Sequence, residues 1–287
     1  PIRQIKGWQN FRFIRGEVAS IELEQKKVFL EQGALEYDYL VLALGNAPDF
    51  KQTPDSNENV FTLKTLRDGM FLRNHIIHMF ETADTEPESE RQNCLLTFIV
   101  VGGGSTGVQF VTEMRDFIFR FLLKNYPHVE PSQVHILLIQ DKDYVLEGMD
   151  AKLGAYALDC LHRKGIDVRL KTRVEGITSD GLQLAGQGEI PTRTVIWATG
   201  GKANPVVADL PLSADQVGRI VVDNYLEIPG FPGVYAVGDI ALFKDKRWTQ
   251  GLPPRAHIAV RQARTVAANI AASINGRNKH PYRYIHM

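Results

Sequence analysis

The stretch FIVVGGGSTGVQFVTEM, Phe98 to Met114, constrains the fold more than any other part of the chain. Four apolar residues run into a glycine cluster, and the glycines lead into a segment with helical spacing. Gly102, Gly104 and Gly107 make G-x-G-x-x-G, with Gly103 and Thr106 inside it. Between a strand and a helix, each glycine has a reason. The first permits a tight turn, the second lets backbone approach a pyrophosphate, and the third lets the helix pack close to the strand. The free N–H groups and positive dipole at the helix start favour an anion. Alone the pattern is weak. In this strand–turn–helix setting it leads us to expect dinucleotide binding, with a tight turn that holds no ligand as the alternative.

The usual companion is an acidic residue at the end of the next strand, where it grips a ribose hydroxyl. That strand is VHILLI, residues 134–139, and its end carries Gln140 followed by Asp141. An amide can hydrogen-bond a hydroxyl and does not repel a 2′-phosphate as a carboxylate would. NADH and NADPH therefore both stay open, and Gln140 also reads as a plain surface polar residue.

Around this motif the pattern is α/β. Residues 8–45 alternate apolar and polar as an antiparallel meander, closing in YLVLALG (39–45), an apolar run suited to a strand buried on both faces. Leu63, Leu66, Met70, Ile77 and Phe80 give helical spacing over 62–81. The polar ETADTEPESERQN (81–93) reads as an exposed loop. A strand over 95–101, a helix over about 105–125, the strand VHILLI and a helix over about 150–164 ending at Gly165 follow. DVRLKT, VEGITS and GLQLAG give three short strands, and TVIWATG (194–200) a buried one. Strands over 218–241 end at Gly238-Asp239, and Pro253-Pro254 lead into a long helix stopped at Gly276. The tail HPYRYIHM reads as one more strand.

Composition excludes several classes. Lys+Arg and Asp+Glu are both 33, so no basic excess points to nucleic acid. No run of 18 apolar residues predicts a transmembrane helix, and none of these 287 residues reads as a secretory signal. Cys94 and Cys160 form no CxxC and have no metal-ligand spacing, so neither dithiol chemistry nor a bound metal is expected.

Five motifs, YDYLVLALG (37–45), VVGGGSTGV (100–108), TVIWATG (194–200), VYAVGD (234–239) and PPRAHIAVRQ (253–262), occur in an order that resembles the pyridine nucleotide–disulfide oxidoreductase superfamily. Within it, RDFIFRFLLKNYPHVEPSQVHILLI and IWATGGKANPVVADL are most similar to type II NAD(P)H dehydrogenases. The resemblance implies a two-dinucleotide-binding flavoprotein architecture with an intact NAD(P)-binding Rossmann-like domain and part of an FAD-binding domain. The implied segments are 1–58 and 213–287 for the FAD side and 59–212 for the NAD(P)H side. A first G-x-G-x-x-G for FAD and a C-terminal membrane-surface region would lie outside this chain, which is then expected to be a truncated form.

The resemblance further implies FAD and NADH or NADPH as cofactors, a quinone as acceptor, and a parent protein peripheral on the cytoplasmic side of a membrane. This fragment is expected to be soluble, with a homodimer as a further expectation. NAD(P)H would be held by Gly102, Gly103, Gly104, Thr106, Gly107, Gln140, Thr199 and Gly200. FAD would be held by Gly45, Gly238, Asp239, Pro254, Arg255 and Ala256, with Asp239 on the ribityl chain. Relatives often carry Glu where this chain has Gln109, which makes Glu113, one turn on, a candidate substitute. His257 is the candidate for bonding a quinol oxygen, and Arg261 stands where relatives carry an amide. The alternative reading is a non-catalytic flavoprotein-like module, as in fusions to selenophosphate synthetase.

Overall fold

The computed structural model describes residues 10–48, 59–245 and 248–284. They form two compact units: one takes the chain up to Ala47 and again from Lys202, the other runs from Pro48 to Gly201. The chain thus crosses between units earlier, in both directions, than the 58/59 and 212/213 breaks read from the sequence.

The first unit begins with an antiparallel meander, β1 (Val18–Glu22), β2 (Lys27–Leu30) and β3 (Gly33–Glu36). Lys26, in the first turn, and Gly33, which opens β3, take positive φ. β4 (Leu40–Leu42) and β5 (Asn46–Pro48) follow. β4 is not buried on both faces as its apolar run suggested, for Val41 is 39% exposed. Among the described strands it pairs with one strand alone, so one of its edges is unpaired as well. The meander's expected start at residue 8 lies outside the described residues.

The second unit carries β6 (Val60–Phe61), α1 (Leu66–Ala83), α2 (Ser89–Leu95), β7 (Thr97–Val101) and α3 (Ser105–Phe117). α3 runs on through a π turn at Ile118–Leu122 and a 3-10 turn at Leu123–Asn125. β8 (His135–Ile139), α4 (Ala151–Arg163), β9 (Asp167–Arg169), β10 (Val174–Ile177), β11 (Gly181–Leu184), β12 (Gly188–Pro191) and β13 (Thr194–Trp197) complete it, and β14 (Gly201–Ala203) leaves it. Residues 81–93 are a correction: α1 extends to Ala83 and α2 starts at Ser89, where an exposed loop was expected.

Five strands make one parallel sheet in the order β6-β13-β7-β8-β9. β7, at its centre, is buried at all five positions. Its residues alternate between two cores, as the period of a strand requires. Phe98 and Val100 join Ile136, Leu138 and Ile196 against residues of α1 and α3, including Leu72, Ile76, Val111 and Met114. Ile99 and Val101 join Leu137, Ile139, Val195 and Trp197 against residues of β10 and β11, including Val174 and Leu182. Each such side chain contributes about 1.5–3 kcal/mol on burial. A central strand covered on both faces is apolar wherever no partner takes a polar group, which is why Phe98–Val101 reads as a continuous run while the buried Thr97 donates its hydroxyl to Asn93 O.

Returning to the first unit, β15 (Ile220–Val221) pairs with β17 (Ala241–Leu242), β16 (Val234–Ala236) pairs with β4 in parallel, and α5 spans Ala256–Ile274. Tyr235, Ile240, Ile258 and Val266 form the middle of its core with Leu42. Residues 280–284 form no strand, against expectation, although Tyr282 is buried. Its ring packs edge-on to Phe243 and its N–H donates to Asn224 O at 2.7 Å, so the segment is held by side-chain packing and single hydrogen bonds rather than a ladder. The last three residues of that tail lie outside the described residues.

Candidate functional site

The glycine turn is braced on several sides. Gly102 has φ +114 and donates its N–H to Ile139 O at 2.8 Å, at the end of β8. A Cβ there would stand 2.8 Å from Ala198 O. A Cβ on Gly107 would run into Gly102 O, so the third glycine is where α3 lies against the turn. Gly103 donates to Gln140 Oε1 at 2.9 Å, and its carbonyl accepts from Leu146 N–H at 2.7 Å. Gly104 is the N-cap of α3 and supplies no side chain to satisfy the first turn, so those N–H groups are left for an anion.

A cleft of about 610 Å³ opens beside the turn. Its walls are Gly102–Gly104, the residues after β8 (Gln140, Asp141, Lys142), Thr172–Val174, and Trp197–Gly200 at the end of β13. These are the carboxyl ends of parallel strands, where ligands of open α/β sheets bind. Backbone bonds fix the far wall: Gln140 N–H donates to Arg169 O at 2.9 Å, and Thr172 N–H donates to Gln140 O at 3.0 Å.

Of the residues expected to hold the nicotinamide nucleotide, Gly102, Gly103, Gly104, Gln140, Thr199 and Gly200 line this one cleft. Thr106 and Gly107 do not: Thr106 is exposed on the first turn of α3, and Gly107 is buried beneath Gly102. Gln140 is neither a surface residue nor a free ribose partner. It is 7% exposed, and its amide is already engaged at both ends, with Oε1 on Gly103 N–H and Nε2 donating to Tyr144 O at 3.3 Å. Glu113 and Gln109 are exposed on α3 and are not among the cleft residues. Lys142, Glu147 and Arg173 line the cleft but carry no local signal that would have marked them. Trp197 could have been read, because it sits inside the TVIWATG strand end.

The first unit gathers the other set. β4 and β16 run parallel and end together, with Val237 N–H donating to Leu42 O at 3.0 Å. Gly45 (φ +63) and Gly238 (φ +73) follow those two ends. Gly238 donates its N–H to Oε1 of Gln262, a residue 1% exposed on α5, at 2.7 Å. A Cβ on Gly238 would stand 3.3 Å from Ala259 Cβ, so the Gly238–Ile240 turn lies directly on the helix. Asp239, in that turn, is half-buried. α5 starts at Ala256, with Arg255 as N-cap and no side-chain cap, and Pro254 lies outside it, a little later than expected. A proline there would have placed its fixed φ in the first turn; here it precedes the cap instead. His257 and Arg261 are half-buried on this helix.

The cysteines stand apart, Cys94 in α2 and Cys160 in α4. Burial pushes the Cys94 thiol up, against a smaller lowering by Arg193 nearby, which favours its protonated form.

Fold and cleft together define a Rossmann-like α/β protein with a crevice at a parallel sheet's carboxyl edge. Residues 4–263 match the family described as pyridine nucleotide-disulphide oxidoreductase, and the chain belongs to that family. It is similar to a probable NADH dehydrogenase of Dictyostelium discoideum, at 30% identity over 92% of this chain and 59% of that protein. It is also similar to the external alternative NAD(P)H-ubiquinone oxidoreductase B4, mitochondrial, of Arabidopsis thaliana, at 33% identity over 86% of this chain and 46% of that one. Among solved structures, NDH2 from Plasmodium falciparum in complex with NADH shares the fold, with TM-score 0.69 at 21% identity over 80% of this chain and 50% of that chain. The chain spans about half the length of the curated relatives it matches.

Proposed function

We propose that this chain belongs to an FAD-dependent oxidoreductase that takes hydride from NAD(P)H and delivers electrons to a quinone. The observation that carries the reading is the cleft at the ends of β7, β8 and β13, walled by the glycine turn. Backbone at Gly102–Gly104 can approach a pyrophosphate because no Cβ stands in the way at any of the three, and the uncapped start of α3 favours its charge. Thr199 and Gly200 close the cleft where the strand end leaves backbone exposed.

The other unit fits one part of a flavin. Gly45 and Gly238 open two strand ends, Asp239 offers a carboxylate to a hydroxyl, and the start of α5 (after Pro254, at Arg255 and Ala256) favours negative charge. When bound, FAD would supply the hydride acceptance and electron transfer, and the protein would supply position and electrostatics. G-x-G-x-x-G occurs once in the sequence, so the flavin's ADP half has no such cradle among these residues. His257, in the first turn of α5, can donate or accept a hydrogen bond to a quinol oxygen. The quinone is inferred from the similar NAD(P)H-ubiquinone oxidoreductase of Arabidopsis thaliana. Among the described residues no helix is long and apolar enough to cross a membrane, which fits a protein that meets its quinone at a membrane surface.

Calorimetric titration of the 287-residue chain with NADH and with NADPH tests the reading. Saturable one-to-one binding of at least one is expected. No heat with either removes the observation on which the proposal rests.

A further inference from the structure

The reading above leaves the choice between the two nicotinamide nucleotides open, and the walls of the cleft bear on it. We propose that the cleft selects the 2′-phosphorylated nucleotide, NADPH, and that Arg173 is the residue that recognises the phosphate. This inference rests on the proposed dinucleotide site.

The strand end that would carry a carboxylate against a 2′-phosphate carries Gln140, which is neutral. Its amide is held between Gly103 N–H and Tyr144 O, so it cannot turn out to grip a ribose hydroxyl without breaking two hydrogen bonds. The discriminating group must therefore come from elsewhere on the wall. Arg173 lines the cleft, is exposed, and makes no side-chain hydrogen bond or ion pair among the described residues. It is fixed close to the strand end by the backbone. Lys171 N–H donates to Lys142 O at 2.8 Å and Thr172 N–H to Gln140 O at 3.0 Å, so the segment entering Arg173 runs hydrogen-bonded to the residues that follow β8. An unpaired guanidinium at the ribose end of such a site is the arrangement that accommodates a 2′-phosphate, and its planar fork matches phosphate oxygens two at a time.

The neighbouring charges do not cancel it. Asp141 lies 3.7 Å from Lys142 Nζ and is compensated by it. Glu147 follows Leu146, whose N–H is bonded to Gly103 O, so its backbone enters the cleft beside the glycine turn. A nucleotide with a bare 2′-hydroxyl would leave Arg173 without a partner, whereas one with a 2′-phosphate would give it two charge-assisted hydrogen bonds.

The test is calorimetric competition with the whole 287-residue chain. NADPH is expected to bind at least tenfold more tightly than NADH, and 2′,5′-ADP to displace it better than 5′-ADP. In Arg173→Ala the ratio of NADH to NADPH dissociation constants should fall at least tenfold, and Arg173→Lys should restore part of it. A purely structural role for Arg173 would weaken both nucleotides alike and leave the ratio standing. Equal affinities, tighter binding of NADH, or an unmoved ratio in Arg173→Ala overturns the inference while leaving the dinucleotide site intact. Failure of both nucleotides to bind overturns the site itself, and this inference with it.

Discussion

Gln140 Oε1 accepts the backbone N–H of Gly103 at 2.9 Å, and so ties the end of β8 to the middle of the glycine turn. The two residues are 37 positions apart in sequence, and the bond is buried. A Cβ on Gly103 would stand only 3.0 Å from Gln140 Cγ, which explains why the residue between the first two glycines of the motif is itself glycine. The turn is thus shaped by its neighbour as much as by its own conformational freedom.

Gln140→Ala is expected to destabilise the chain by about 1–3 kcal/mol, because the Gly103 N–H loses its buried acceptor. The loss should appear as a lower urea midpoint with an unchanged m-value. Nucleotide binding should weaken as well, since the turn's N–H groups lose their brace. A variant with wild-type stability would show that water or another acceptor takes the amide's place.

Two glycines of the motif should fail in different ways. Gly107→Ala would drive a methyl into Gly102 O, so it should lower stability by more than about 2 kcal/mol or prevent folding. Gly104 has open space where its Cβ would be, and its φ of −71° suits any residue. Gly104→Ala should therefore fold with a melting temperature near wild type, yet bind the nucleotide at least tenfold less tightly, because the methyl enters the cleft. Thermal unfolding and calorimetry of the pair separate the two roles. Equal stability losses would contradict the geometry.

The parts that were legible in the sequence share a property. β7 and β8 are apolar after their first residues, Thr97 and His135, because both faces of their sheet are covered, and the glycine turn is spelled out because backbone must pass backbone. What escaped is held by polar or backbone contacts that leave no period. α2, SERQNCL, buries only Gln92, whose Nε2 donates to Ala83 O at 2.9 Å, so no apolar stripe announces a helix. β12, GEIP, is exposed along most of its length and pairs only with β11 among the described strands. The Thr172–Val174 wall reaches the cleft through main-chain bonds that any sequence could make. The direction of Gln140 was equally hidden: its position at a strand end was readable, but the Gly103 N–H that claims its amide was not.

Acid should expose a second local device. Thr65 caps α1, accepting from Asp68 N–H at 3.1 Å, and Asp68 Oδ2 accepts from Thr65 N–H at 3.1 Å. Burial alone would raise the Asp68 carboxyl, but hydrogen bonds from the Thr65 side chain, Lys64 N–H, Thr62 and Thr65 N–H outweigh it and hold it at about 2, below the ordinary 3.8. A carboxyl depressed on folding stabilises the native state above its unfolded value, and that stability is lost as pH falls through the folded one. Asp68→Ala should cost about 0.5–2 kcal/mol at pH 7. Its unfolding free energy should converge on the wild type's as pH drops from 3.8 towards 2. Urea titrations across that range check it. A difference that does not change with pH would assign the effect to helix propensity instead.

In the other unit, Gln262 does for the Gly238 turn what Gln140 does for Gly103. It is 1% exposed on α5, and its Oε1 takes the Gly238 N–H at 2.7 Å. Gly238 cannot gain a side chain freely, since its φ is +73° and Ala259 lies 3.3 Å from where a Cβ would be. The turn that presents Asp239 is therefore set by one helix side chain. Gln262→Leu keeps the volume but removes the acceptor, and should cost about 1–3 kcal/mol for the amide left unpaired. Gln262→Glu keeps an acceptor but buries a carboxyl in the same place, so its loss should be larger at pH 8 than at pH 5, as the group is forced to ionise. Unfolding of both variants at the two pH values distinguishes the lost bond from the buried charge. If neither variant is less stable than wild type, the Gly238 turn is set by the close packing of α5 rather than by this hydrogen bond.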